Sequence, residues 1–247
     1  MGEHKTYYIA SCLFTAKYPQ LSVKIQSYVR DRLDCEIVRC CVPKFSTRFY
    51  EDKMPSDYRS TWSGMPDCAD FAPGDTVYSL CHNCSAILEE SKPGVAIPSL
   101  WELIASDESF PFPDYGGARM VIQDCWRAYD RRDEQLAVRR LLEHMNIKAV
   151  ELEENFEKTN FCGNSLYRPT SPRNQKMAPR RFVEQAQGKF QNHTMEEQTA
   201  LMEAYCGALP PLPVVCYCHY CEEGLALGGA DVRHLAKLLF GPENTLL

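Results

Sequence analysis

The residues of this sequence best suited to chemistry are cysteines at short, ordered spacings. Five of them form a first set, a single cysteine followed by an adjacent pair and a Cys-x-x-Cys unit: Cys12, Cys40, Cys41, Cys81 and Cys84. A cysteine can serve as a small buried hydrophobic residue, but packing alone does not call for adjacent pairs and Cys-x-x-Cys spacings. The pattern therefore predicts that the chain holds these thiolates around a metal centre, with iron as the expected metal.

A second set of cysteines repeats this order further along the chain, with one thiol fewer. Its members are Cys125, Cys162, Cys218 and Cys221. A single cysteine stands where the first set has a pair. Four thiols are enough for a tetrahedral zinc ion or a cubane [4Fe–4S] cluster, whereas five are more than either needs. Cys216 is a candidate replacement for the missing fifth ligand.

Composition limits the class of protein. The chain has 247 residues, of which 45% are hydrophobic and 24% charged, as in soluble globular proteins. Thirteen cysteines in a chain of this length without a visible secretory signal favour metal or redox chemistry over a disulfide framework. The sequence has no apolar run long enough for a membrane span, and a net charge of -6 argues against nucleic acid as the main partner. We expect a cytoplasmic protein.

Short apolar strands are predicted directly before most of these cysteines, and amphipathic helices after them. The predicted strands cover residues 6–11, 36–39, 76–80, 119–124, 148–152 and 213–217. Such alternation predicts α/β layers with mainly parallel strands. Because the carboxyl ends of parallel strands lie at one edge of a sheet, the cysteines that follow them are expected to face a common volume.

The order of strands and cysteines occurs twice, which predicts an internal duplication. The segment 109–117, with two prolines and two glycines, is the predicted domain boundary. We therefore expect two similar layered α/β subdomains, residues 1–110 and the degenerate copy 111–247. Residues 43–75 show no clear period and are predicted to form a long ordered loop.

Arginine and histidine side chains near the cysteines could each have a functional or a purely structural role. Arg127, Arg131 and Arg132 follow Cys125 closely and could attract an anionic thiol substrate, but a solvated helix face with nearby acidic residues is the preferred prediction. A histidine follows the first cysteine of each Cys-x-x-Cys unit. Each histidine either hydrogen-bonds cluster sulfur or supplies a proton, or it begins a helix with its ring toward solvent.

The combined spacing resembles the cysteine-rich CCG domain of the heterodisulfide reductase catalytic (B) subunit, which usually occurs twice in tandem. The resemblance implies an iron–sulfur oxidoreductase subunit that reduces a disulfide or a related low-potential acceptor in anaerobic metabolism. It also implies electron transfer from a flavoprotein or ferredoxin-like partner subunit, and a disulfide or thiol substrate. By resemblance, a noncubane [4Fe–4S] cluster is held by Cys12, Cys40, Cys41, Cys81 and Cys84.

The sequence departs from the family pattern at three places. Val42 follows the first pair in place of the usual glycine, and the second copy reads Phe161-Cys162-Gly163. The gap from Cys162 to Cys218 is also wider, with residues 168–192 inserted. The second set is therefore expected to hold a [4Fe–4S] cluster or zinc.

Two other functions stay open. One is a non-catalytic electron-relay or assembly subunit whose two sites are closed, structural zinc or cubane sites. The other is a thioredoxin-like dithiol enzyme that uses Cys81 and Cys84, although this reading leaves the remaining cysteines of the first set without a role.

Overall fold

The computed structural model describes residues 4–42, 51–52, 54–169 and 173–241. The chain forms two compact units, Met1–Leu100 and Trp101–Leu247. The boundary therefore lies earlier in the chain than the one expected after residue 110.

The first unit contains a parallel sheet of three strands in the order β2-β1-β3. Within it, Ile9 lies opposite Val38 on one side and opposite Ser79 on the other. All three strands therefore end at the same edge of the sheet. The described elements are β1 (Thr6–Ile9), α1 (Cys12–Lys17), α2 (Pro19–Arg32), β2 (Glu36–Val38), α3 (Ser56–Gly64), β3 (Thr76–Ser79) and α4 (His82–Ser91).

Helix α3 lies within the segment that was predicted to be a loop, and for these residues that prediction was wrong. Tyr58 and Trp62 are four residues apart on α3, and both are buried. Gln26 of α2 donates a hydrogen bond to the Tyr58 hydroxyl at 2.7 Å. Two aromatic side chains one helical turn apart are enough to dock a short helix whose remaining surface is polar. Residues 43–50 and 53 of the predicted loop lie outside the described residues.

The second unit contains a parallel sheet of four strands in the order β5-β4-β6-β7. Its helices and strands are α5 (Leu100–Ala105, whose first residue closes the first unit), β4 (Arg119–Ile122), α6 (Arg132–His144), β5 (Lys148–Glu151), α7 (Met195–Gly207), β6 (Val214–Cys216), α8 (His219–Leu227), β7 (Val232–His234) and α9 (Leu235–Phe240). Short 3₁₀ segments cover Trp126–Ala128, Phe156–Lys158, Gly163–Tyr167 and Arg173–Lys176, and a π-helical turn covers Arg180–Glu184.

Helix α6 buries the face that its sequence period predicted. Val138, Leu141, Leu142 and Met145 are fully buried, which confirms the amphipathic prediction. Burying four such side chains contributes roughly 1.5–3 kcal/mol each to folding.

The α/β prediction with mainly parallel strands is confirmed in both units. In each sheet the first strand is central, the second strand lies on one side and the third on the other. In each unit the third strand of this group runs into a helix that carries the Cys-x-x-Cys unit. A duplication would produce this shared order, but duplication itself stays a prediction. No helix within the described residues is both long and apolar enough to cross a membrane.

Candidate metal centres

The first set of cysteines lies at the carboxyl edge of the three-stranded sheet. Cys12 begins α1 shortly after β1, and the adjacent pair follows β2. Cys81 follows β3, caps the N-terminus of α4, and is joined by Cys84 in the first turn. Because the three strands are parallel and in register, their ends deliver the cysteines to one place.

The five thiols of the first set are close neighbours, and each changes the pKa of at least one other. Cys40 accepts hydrogen bonds from the thiols of Cys12 and Cys41. The thiol of Cys84 lies next to those of Cys41 and Cys81, and both raise its pKa. The structure therefore clusters the five candidate ligands, which could bind a metal. Cys12 is partly exposed, whereas the other four are buried.

These hydrogen bonds separate the thiols into two kinds. The pKa of Cys40 falls to about 3 because Cys12 and Cys41 donate to its sulfur, and the pKa of Cys81 falls to about 6, mainly because Cys84 donates to it. Donating raises the pKa of Cys12, Cys41 and Cys84. Five thiolates cannot share this buried volume without positive charge among them, because each adds to the desolvation and repulsion of the others. The set therefore suits a cationic core.

Two buried hydroxyls near the first set test whether an iron–sulfur group fits. Ser11 and Tyr8 are buried, and neither hydroxyl oxygen has a nitrogen or oxygen hydrogen-bond partner among the described residues. The Ser11 hydroxyl contributes to the low pKa of Cys81. Burial and nearby Tyr58, Cys84 and Cys35 raise the pKa of Tyr8. Buried hydroxyl donors beside sulfur fit a group that carries sulfide acceptors, since hydrogen bonds to cluster sulfur are a usual feature of such sites.

Ser11 also has an unusual backbone. Its φ is 60°, in the left-handed region that residues with a side chain rarely adopt. This conformation stores strain of about 1–3 kcal/mol directly before Cys12.

The second set of cysteines converges in the same way in the second unit. The thiol of Cys125 donates a hydrogen bond to Cys162, and burial and its close neighbours Cys162, Cys218 and Cys221 all raise its pKa. The sulfurs of Cys125 and Cys162 are 3.8 Å apart. All four residues are buried, with exposed fractions of at most 4%. Cys218 caps α8, with Cys221 in its first turn, just as the first Cys-x-x-Cys unit is placed on α4.

Glycine at position 163 allows the Cys162 segment to approach α8. Gly163 has a φ of 57°, and a Cβ atom there would lie 1.8 Å from the Tyr220 carbonyl oxygen and 2.8 Å from the Cys221 Cα. No side chain larger than hydrogen fits between the two segments. Cys162 therefore reaches Cys125 because its neighbour has no side chain, which is the physical reason for a Cys-Gly sequence at this place.

Arg127 does not lie on a solvated helix face, and that prediction was wrong for this residue. It is 3% exposed, and its Nε donates to the Cys162 sulfur at 3.0 Å. The backbone N–H of Trp126 donates a hydrogen bond to the Phe161 carbonyl oxygen at 2.8 Å, and this bond orients the Trp126–Ala128 turn so that the Arg127 side chain is buried. The prediction does describe Arg132, which is exposed and pairs with exposed Glu157 at 3.5 Å. It does not describe Arg131, which is mostly buried and pairs with the buried Glu134 at 2.9 Å.

In the second set, Phe161 stands at the sequence position where the first set has the first cysteine of its adjacent pair, and its side chain packs in the core. Phe161 is buried and stacks on Tyr205 with ring centres 4.3 Å apart. The thiol of Cys216 lies 3.9 Å from the Cys218 carbonyl oxygen. Its role as a replacement ligand stays a prediction.

The two histidines of the Cys-x-x-Cys units are buried, so the interpretation that their rings face solvent was wrong. His82 is 3% exposed and His219 is 4% exposed. Each lies at the first helical position after the capping cysteine.

Comparisons with known proteins identify no relative. No model of a protein family matches the chain, and no curated protein matches it. Among solved structures, glutamate racemase isoform RacE1 from Bacillus anthracis aligns over 97% of this chain and 79% of its own length. The identity is 9% and the TM-score 0.32. The site geometry is therefore the basis for any statement about function.

Proposed function

We propose that the chain is an iron–sulfur oxidoreductase subunit, similar to the heterodisulfide reductase B subunit, whose first cysteine set holds a noncubane [4Fe–4S] cluster. The observation that supports it most is the clustering of five thiols at one edge of the parallel sheet. Five convergent sulfurs exceed the four that a zinc ion or a cubane cluster uses. The surplus sulfur is what a noncubane cluster requires.

When bound, such a cluster supplies one-electron transfer to sulfur. Reduction of a disulfide consumes two electrons and two protons and releases two thiols. The chain lacks the CxxCxxCxxxCP run of ferredoxin modules, so electrons arrive from a flavoprotein or ferredoxin-like partner. Cys12 is the partly exposed member of the first set, and the substrate sulfur approaches on that side.

The second set of cysteines suits a closed metal site better than a substrate-binding one. Its four thiols are buried and number what a cubane [4Fe–4S] cluster or a zinc ion requires. Burial on this scale excludes a substrate from the sulfurs. This observation favours the second candidate function, in which the chain is an electron-relay or assembly subunit with closed sites.

A dithiol enzyme at Cys81 and Cys84 has less support. The low pKa of Cys81, about 6, does match an activated thiolate. Both residues are 5% exposed, however. A thiolate that attacks a protein or peptide disulfide must be accessible.

Preparation of the protein without air tests the proposal. We expect about four iron and four sulfide per cluster, with an electron paramagnetic resonance signal that changes when a thiol is added. Replacing Cys41 with serine should abolish the signal of the first site, and replacing Cys35, which stands outside the set, should leave it unchanged. Protein without iron and with about two zinc ions per chain would refute the catalytic proposal in favour of closed structural sites.

A further inference from the structure

The guanidinium of Arg127 is built into the second cysteine set. Its Nε donates to the Cys162 sulfur at 3.0 Å, and its Nη2 donates to the Ser165 hydroxyl at 3.1 Å. That hydroxyl in turn lies 3.2 Å from the same sulfur. The Tyr220 ring covers the guanidinium with 4.3 Å between the group and the ring centre, and the Phe182 ring lies at 5.2 Å. Arg127 is thus held in one orientation.

The electrostatics explain why a buried cation is tolerated here. A guanidinium keeps its proton in proteins even when it is buried, and here it lies at hydrogen-bond distance from the Cys162 sulfur. Arg127 therefore stays charged. A permanent cation at hydrogen-bond distance from one ligand favours the thiolate form of that ligand.

Four thiolates carry four negative charges, and a divalent metal or an oxidised cubane cluster each neutralises two of them. Two negative charges then remain in a buried volume. Arg127 offsets one of them without occupying a ligand position.

We propose that Arg127 is a positioning residue of the second site, whose fixed charge and hydrogen bond to Cys162 set the affinity of the four-thiolate set for its metal group. Where that group is a cluster, the same charge favours the reduced, more negative state and raises the reduction potential. The proposal rests on the proposed function only in requiring that the second set binds a metal.

Cobalt(II) is a suitable probe, because thiolate-to-cobalt absorption reports the ligands directly. The full-length chain carrying Cys40→Ser and Cys81→Ser, which disable the first site, is titrated against a competing chelator. Arg127→Met should weaken cobalt affinity about 10- to 100-fold, the range for partners of metal ligands, and should shift the thiolate-to-cobalt band. Arg127→Lys, which keeps the charge but not the planar fork, should recover part of the affinity.

Arg181→Met is the matched control. Arg181 is a buried arginine of the same unit, but it pairs with Asp130 at 2.8 Å and covers the Tyr129 ring. Its replacement should destabilise the fold without moving the cobalt band. If Arg127→Met does not fold by circular dichroism, Arg127→Gln replaces it in the same titration.

Cobalt affinity and band position unchanged in the folded Arg127 variant would overturn the proposal. Equal losses in the Arg127→Lys and Arg127→Met variants would overturn the role of charge. Failure of the unmodified second site to bind cobalt would instead refute metal binding by the second set, and hence the proposed function at this site. The two failures are thereby distinguishable.

Discussion

Replacing Gly163 with alanine tests the close approach that closes the second cysteine set. The new Cβ would lie 1.8 Å from the Tyr220 carbonyl oxygen and 2.5 Å from the carbonyl carbon, both of which are backbone atoms. Backbone atoms cannot rotate away as a flexible side chain can. The first turn of α8, which carries Cys221, must therefore shift, or the Cys162 segment must retreat.

The expected cost has two parts. The left-handed φ of 57° costs a residue with a side chain about 1–2 kcal/mol. Overpacking against a fixed neighbour typically adds about 1–3 kcal/mol. We therefore expect the alanine variant to lower the free energy of unfolding by roughly 2–5 kcal/mol. We also expect weaker metal binding by the second set, because Cys162 moves relative to Cys125 and Cys221.

Gly188→Ala is the control for the cost of the left-handed backbone alone. Gly188 also has a positive φ, 72°, but a Cβ atom there would have nothing within 4 Å. Its replacement should cost about 1–2 kcal/mol and leave metal affinity unchanged. Urea denaturation gives the free energies, and chelator competition gives the affinities. If Gly163→Ala is no more destabilised than Gly188→Ala and binds metal equally well, the close approach does not hold the second set together.

Three further outcomes are expected. Asp124→Asn should destabilise the second unit by about 3–5 kcal/mol in urea denaturation, because Asp124 is fully buried and its oxygens accept hydrogen bonds from Arg139 at 2.8 and 2.9 Å and from Tyr217 at 2.8 Å. As a control, Asp231→Asn, which breaks an exposed ion pair, should cost only about 0–1 kcal/mol. Similar losses of stability in the two variants would contradict this prediction. Ser11→Ala should raise the pKa of Cys81 in metal-free protein, because the Ser11 hydroxyl lowers that pKa. The pH midpoint of the thiolate absorbance at about 240 nm measures the change. An unchanged midpoint would show that the hydroxyl does not act on the Cys81 sulfur. Metal binding by the first set should release about one proton more at pH 5 than at pH 7, because Cys81, with a pKa of about 6, is a thiol at pH 5 and already a thiolate at pH 7. Calorimetry in buffers of different ionisation enthalpy measures the number of protons released. A smaller release at pH 5 than at pH 7 would contradict this prediction.

The sequence by itself determined the α/β class and the places where the cysteines stand along the chain. Short apolar runs that end at cysteine are strong local signals, because a buried parallel strand needs continuous apolar residues and its carboxyl end is where polar or reactive groups lie. The face of α6 was likewise predictable, because Val138, Leu141 and Leu142 repeat with the helical period.

Elements whose burial depends on distant partners were not predictable. Helix α3 has few apolar residues, and its docking depends on where Tyr58 and Trp62 meet the rest of the unit. The boundary between the units lies at Leu100, whereas the Pro/Gly-rich segment that suggested a boundary lies in the second unit. Proline and glycine mark turns, but they do not report which side of a turn packs with which unit.

Only the tertiary structure decided how the sulfurs are connected and what surrounds them. The first cluster of thiols brings together cysteines that are up to 72 positions apart, Cys12 to Cys84. Arg127 resembled a surface arginine in the sequence, since its charged neighbours suggested a solvated face. It is buried because a backbone bond to Phe161 orients its turn toward Cys162. Local spacing determines which residues can be ligands, whereas the charge and hydrogen bonds that tune them depend on long-range packing.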